Sequence, residues 1–231
     1  MKRIKVITLA ALAILAAACN DNDDIADVEN VKPVEIVNGQ ENGFDYADLG
    51  LPSGTLWATC NVGATSPEQA GLYFAWGETV GYTAEQVTSG VRAFNKISYN
   101  AGPAASISAD LTLEEDAARV HMGGKWRMPT YDEFQELIEN TTSTWVSNYM
   151  GKGIKGRLFT SKVNRNSIFF PAAGICYGTS ISIGGEHGCY CSTSWDSAKS
   201  FSFLNFYKDN MFMRNGLRYY GRSVRGVCAR K

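Results

Sequence analysis

The chain has 231 residues, enough for one sizeable core. Its hydrophobic content of 45% and charged content of 19% are ordinary for a globular protein. A formal net charge of −1 offers no global field for nucleic acid, which is excluded as a partner on that ground.

In chain order, Lys2, Arg3 and Lys5 form a positive leader and Val6 to Ala18 an apolar run, with small residues before Cys19. The run is too short to cross a bilayer comfortably and reads as a cleaved secretory signal over 1–18. It resembles the bacterial lipoprotein signal, in which the cysteine is lipidated and becomes the new N-terminus. The match departs where Ala16 stands in place of the usual leucine, with Leu15 one step earlier. An ordinary signal with an incidental Cys19 is the plain alternative. Several acyl chains on Cys19 would anchor the protein stably. Residues 19–43 are acidic and poor in large apolar side chains, an expected flexible tether. Acids directly after Cys19 resemble the surface-export signal of Bacteroidetes lipoproteins, which implies an outer-membrane protein facing the exterior.

The expected domain spans 44–231. Asp48–Thr59 reads as a Pro/Ser/Gly turn leading into a short apolar strand, and Gly71–Gly77 as a second aromatic strand-like run with glycine at each end. Residues 78–110 are polar and irregular, a candidate loop. Thr112 with Glu115 has the form of a capping box opening a helix that stops at Gly123-Gly124. A second capping box, Thr130 with Glu133, precedes Tyr131, Phe134, Leu137 and Ile138 at helical spacing. Beyond Ile154 strands and turns dominate. Ser167–Gly174 reads as a buried strand, and Ser200–Phe206 alternates with period two. Asn215-Gly216 is a hairpin signal expected to join 210–214 to 217–220.

The stretches DLGLPSGTLWATCNVGA (48–64), YFAWGET (73–79), GGKWRMPTYDEFQELI (123–138), NSIFFPAAG (166–174) and RYYGRSVRGV (218–227) resemble the Fibrobacter succinogenes major paralogous domain. That resemblance implies an α+β, C-type-lectin-like fold of the formylglycine-generating-enzyme subtype. Two helices, mostly antiparallel short strands and adjacent N- and C-terminal strands are expected. With those strands adjacent, a Cys60–Cys228 disulfide is expected, and Cys176 is left to pair with Cys189 or Cys191. The relatives include variable proteins of diversity-generating retroelements, which places a diversified binding segment at 189–221.

His187-x-Cys189-x-Cys191 is the stretch most suggestive of chemistry. Zinc wants four ligands, His187 lacks further partners at ligand spacing, and the two sulfurs are expected to diverge. No metal and no cofactor are therefore expected. No nucleotide loop, Ser/His/Asp set or lectin calcium motif is present, so no enzyme is expected. The leading reading is non-catalytic binding of an unknown protein or glycan through Tyr177, Tyr190, Trp195, Phe212, Arg214, Tyr219 and Arg222. That mix joins rigid aromatics to adaptable polar groups. Trp57, Trp76, Trp126 and Trp145 read as core, and Arg218 and Arg225 as structural. A structural component of a surface assembly is a second reading, and a divergent formylglycine-generating-type oxidase a third.

Overall fold

The computed structural model describes residues 37–100 and 109–230. The expected signal, Cys19 and most of the tether lie outside the described residues. Among the described residues there are three helices, α1 (Ala84–Thr88), α2 (Ala117–Met122) and α3 (Tyr131–Asn140). The strands before α3 are β1 (Gly39–Glu41), β2 (Phe44–Ala47), β3 (Thr55–Asn61) and β4 (Tyr73–Phe74). After it come β5 (Thr141–Tyr149), β6 (Ile154–Ser161), β7 (Ser167–Pro171), β8 (Ile175–Tyr177) and β9 (Ser180–Ser182). The last are β10 (Gly188–Ser197), β11 (Ser200–Tyr207), β12 (Asn210–Leu217), β13 (Arg222–Ser223) and β14 (Arg225–Ala229).

They form sheets of order β1-β2-β3-β14, β12-β11-β10-β13-β4, β5-β6-β7 and β8-β9. The protein is mostly β-sheet, in several small sheets, which corrects the expected two-helix α+β, lectin-like arrangement. The helices are too short to form a layer. Period-two apolar patterns govern almost everything after Thr141, and strands result. The tether expectation also shifts, because Gly39–Glu41 already pairs with Phe44–Ala47.

The helix signals divide. At α3 the capping box forms: Thr130 Oγ1 accepts from the Glu133 N–H at 3.2 Å, and Glu133 Oε2 accepts from the Thr130 N–H at 2.9 Å. Arg127 clamps the same carboxylate with two bonds of 2.6 Å. Phe134 and Leu137 are then buried, Phe134 with its ring 5.4 Å from Trp57. At α2 the expected box is displaced. Thr112 and Glu115 lie in a turn, and Asp116 is the cap, taking the N–H groups of Arg119 at 2.9 Å and Met128 at 2.7 Å. A buried carboxylate that fills two backbone donors outcompetes the threonine hydroxyl.

The five-stranded sheet carries a core on each face. Tyr190, Leu204 and Phe206 meet Trp57, Phe134 and Phe170 on one side. Cys189, Cys191, Phe201 and Phe203 meet Trp76, Trp126 and Met122 on the other. Trp57, Trp76, Trp126 and Trp145 are all buried. Arg225 stitches strands together from inside, donating to Asn61 Oδ1 and to the carbonyls of Ala58, Thr59 and Phe169 at 2.5–2.9 Å.

Two sequence expectations fail on register. Asn215-Gly216 is not a turn, because β12 runs through it, with Asn215 opposite Ser202 and Gly216 opposite Phe201. The real connection is the Lys208-Asp209 turn between β11 and β12. The Cys60–Cys228 bridge is also overturned. β14 does run beside β3, but Cys228 faces Leu56 and Arg225 faces Asn61. Cys60 therefore lies four residues beyond Cys228's partner, about 13 Å along the strand. A disulfide needs Cα atoms within about 7 Å. Cys60, Cys176, Cys189, Cys191 and Cys228 are all thiols, so the expected pairing of Cys176 with Cys189 or Cys191 fails as well.

Candidate binding face

Directly opposite residues of paired strands share a face, and so do residues two apart. On the Cys189 side of the sheet, β10 is preceded by His187 and contributes Cys189 and Cys191. β11 contributes Phe203, Asn205 and Tyr207, and β12 contributes Phe212 and Arg214, since Asn205 faces both Cys189 and Phe212 and Phe203 faces Arg214. The hairpin β8–β9 extends this surface. Bridges Gly174 to Gly188 and Cys176 to Gly221 dock β8 beside β10 and β13. Ile175 then packs toward Cys189, Cys176 turns into a separate small core, and Tyr177 stands out two residues on.

The edge of this face is aromatic. Tyr177 is 55% exposed and meets Tyr220 edge-on at 5.1 Å, and Tyr220 meets Tyr219 at 5.0 Å. A second group joins His187 to Tyr207 at 5.0 Å and Tyr207 to Phe212 at 6.3 Å. The tyrosine group and the Tyr207–Phe212 pair meet edge-on, and His187 lies tilted on Tyr207 at 37°. Arg214 is exposed on the same side of β12 as Phe212.

Of the expected ligand residues, Tyr177, Phe212, Arg214 and Tyr219 come together on this open face. Three do not. Tyr190 is wholly buried on the opposite face, its hydroxyl donating to the Pro171 carbonyl at 2.8 Å and accepting from Asn61 Nδ2 at 3.3 Å. Period two dictates that placement, since its neighbours Cys189 and Cys191 take the other side. Trp195 is half-buried opposite Phe201 and packs against the Trp76 core.

Arg222 is 1% exposed and crosses the sheet inside the protein. Its guanidinium lies 4.2 Å over the Phe203 ring and 4.9 Å over Phe201, and Nη1 donates to the carbonyls of Leu217 and Tyr220. Trp76 stacks on Phe201 at 5.5 Å, and Arg218 covers Trp76 at 4.5 Å. Arginine and rings thus alternate through the core, each cation held by π-faces and carbonyls.

His187, Asn205, Tyr207 and Tyr220 belong to the face and were not singled out as ligand residues. Period two counted outward from Phe203 would have found Asn205 and Tyr207. His187 and Tyr220 needed the docking of β8.

The same counting corrects the expectation that Cys189 and Cys191 diverge. Residues two apart share a face, and both sulfurs lie in the core cluster beneath Arg222. Burial pushes the Cys189 thiol up to about 11 and Cys191 up to about 12, and the opposing pull of Arg222 is smaller. Neutral buried thiols are poor nucleophiles at pH 7. Among the described residues no group of three or more His, Cys, Asp or Glu is placed to hold a metal ion. Elsewhere, a cleft of about 560 Å³ is lined mainly by glycine and alanine, with Glu68 and Lys155 among the rest.

No family model, no curated protein and no solved structure matches this chain.

Proposed function

We propose that this protein binds a protein or glycan, without catalysis, through the face formed by β8 and β10–β12. The observation that supports this most is the gathering of Tyr177, Tyr207, Phe212, Arg214, Tyr219 and Tyr220 at one open surface around a rigid sheet. Rings held edge to face are pre-ordered, so a ligand loses little side-chain entropy in meeting them. We also propose kinship with the Fibrobacter succinogenes major paralogous domain, on the motifs at 48–64, 73–79, 123–138, 166–174 and 218–227. The outer-membrane lipoprotein reading rests on the leader and Cys19.

Screening the purified domain against immobilised glycan and protein libraries tests the binding reading. Tyr177→Ala and Phe212→Ala should each weaken any binding found, and unchanged binding in both would put the ligand elsewhere. Incorporation of labelled fatty acid that disappears in Cys19→Ala tests the anchor.

A further inference from the structure

The floor of this face is rich in polar side-chain atoms that have no partner. Two buried side-chain atoms on it, His187 Nδ1 and Asn205 Nδ2, and Arg222 Nε in the core beneath it, have no hydrogen-bond partner among the described residues. Asn205 is only 3% exposed and uses its other end, Oδ1, to accept from the Cys189 thiol at 3.5 Å. Buried polar groups are almost always satisfied, so each such orphan asks for a partner, and the Asn205 amide and Arg222 Nε ask for an acceptor.

The charges on this face point the same way. Arg222 is buried, and among the described residues neither it nor the exposed Arg214 is paired with a carboxylate. The nearest polar neighbours of Arg222 are carbonyls, thiols and rings, which leave its charge uncompensated. Arg214 lies two residue pairs along the sheet from Asn205 and Phe212, on the same face, and its charge is felt at both Cys189 and Arg222. Two cations beside a low-dielectric floor focus a positive field at this spot although the chain as a whole is slightly acidic. The rings of Phe212 and Tyr207 lie beside it.

We infer that the face takes an acidic saccharide, its carboxylate or sulfate seated at Arg214 above Asn205 and its ring carbons against Phe212 and the tyrosines. This rests on the binding-face reading and adds the chemical class of the ligand. A saccharide fits better than an acidic peptide because the anchoring charge is one compact spot with ring faces beside it, rather than a row of cations.

Calorimetric titration of the whole domain with a short oligogalacturonate, its neutral methyl ester and a polyglutamate peptide tests this. The acid should bind at least about tenfold more tightly than the ester, and Arg214→Ala should abolish that difference. Arg214→Lys should keep part of it, and added salt should weaken it. Equal binding of acid and ester, lost in Tyr177→Ala, would overturn the charge inference while leaving the face intact. Acid binding indifferent to both Arg214→Ala and Tyr177→Ala would overturn the inference and the face together. Peptide binding as tight as the saccharide's, or no binding by any probe, would overturn the saccharide.

Discussion

A side-chain carbon on Gly216 would stand 2.6 Å from Arg222 Nη2 and 2.6 Å from the Phe203 ring. Gly216 is glycine because Arg222 lies across β12 at that point, and no turn is involved. The guanidinium reaches over Phe203 from β13 to the far strand, where only a residue without a side chain leaves room.

Gly216→Ala should therefore destabilise the protein by about 1–3 kcal/mol, the ordinary cost of overpacking. Urea unfolding would measure it. A cost near zero would mean that Arg222 can swing aside freely.

Arg225→Lys should be severely destabilising despite keeping the charge. A lysine cannot serve Asn61 Oδ1 and the three carbonyls of Ala58, Thr59 and Phe169 together. Leaving buried acceptors unmatched costs on the order of 3 kcal/mol. The midpoint of chemical unfolding reads this out, and a loss below about 1 kcal/mol would contradict it.

Acid should weaken the protein partly through Glu133. Burial pushes its carboxyl up, but the Arg127 clamp and the Thr130 N–H outweigh that and hold it below the usual 4.5. A depressed folded value means stability present above about 4.5 and lost as pH falls through the folded value. Asp116, raised by burial, works with the opposite sign, because protonation relieves its cost. Stability measured between pH 7 and 3 should fall less steeply in Glu133→Gln than in the wild type. Identical acid limbs would remove Glu133 from the account.

With Cys19 set aside, thiol labelling of the native protein at pH 8 should be dominated by Cys60, which is half-buried beside Thr59. Burial pushes Cys176 and Cys191 up to about 12 and Cys189 and Cys228 up to about 11, so they should label only after unfolding. Mass mapping without reductant should show no Cys60–Cys228 peptide. Finding that peptide would refute the register of β3 with β14.

Tyr177→Ala and Arg214→Ala should leave stability within about 0.5 kcal/mol of the wild type, since both side chains are exposed. A large loss in either, measured by thermal unfolding, would show that the open face is part of the core.

What the amino-acid sequence determined by itself is what short-range physics decides. Thr130 and Glu133 are three residues apart, so the α3 cap closes without help from elsewhere. The alternation around Phe201 and Phe203 makes a strand whatever its neighbours are, and four tryptophans in apolar runs have only the interior to go to. The tertiary structure decided whatever depends on partners distant in the chain. Arg214 and Arg222 look alike in sequence. β13 runs beside β10 and buries one of them, while the outermost position of β12 exposes the other. Asn215-Gly216 has the composition of a turn, and pairing with β11 keeps it extended. Cys60 and Cys228 lie on neighbouring strands, yet a register offset of four residues keeps them apart. The polar atoms of His187 and Asn205 share a face only because β10 and β11 pair there, a contact worth more than any local preference of either residue.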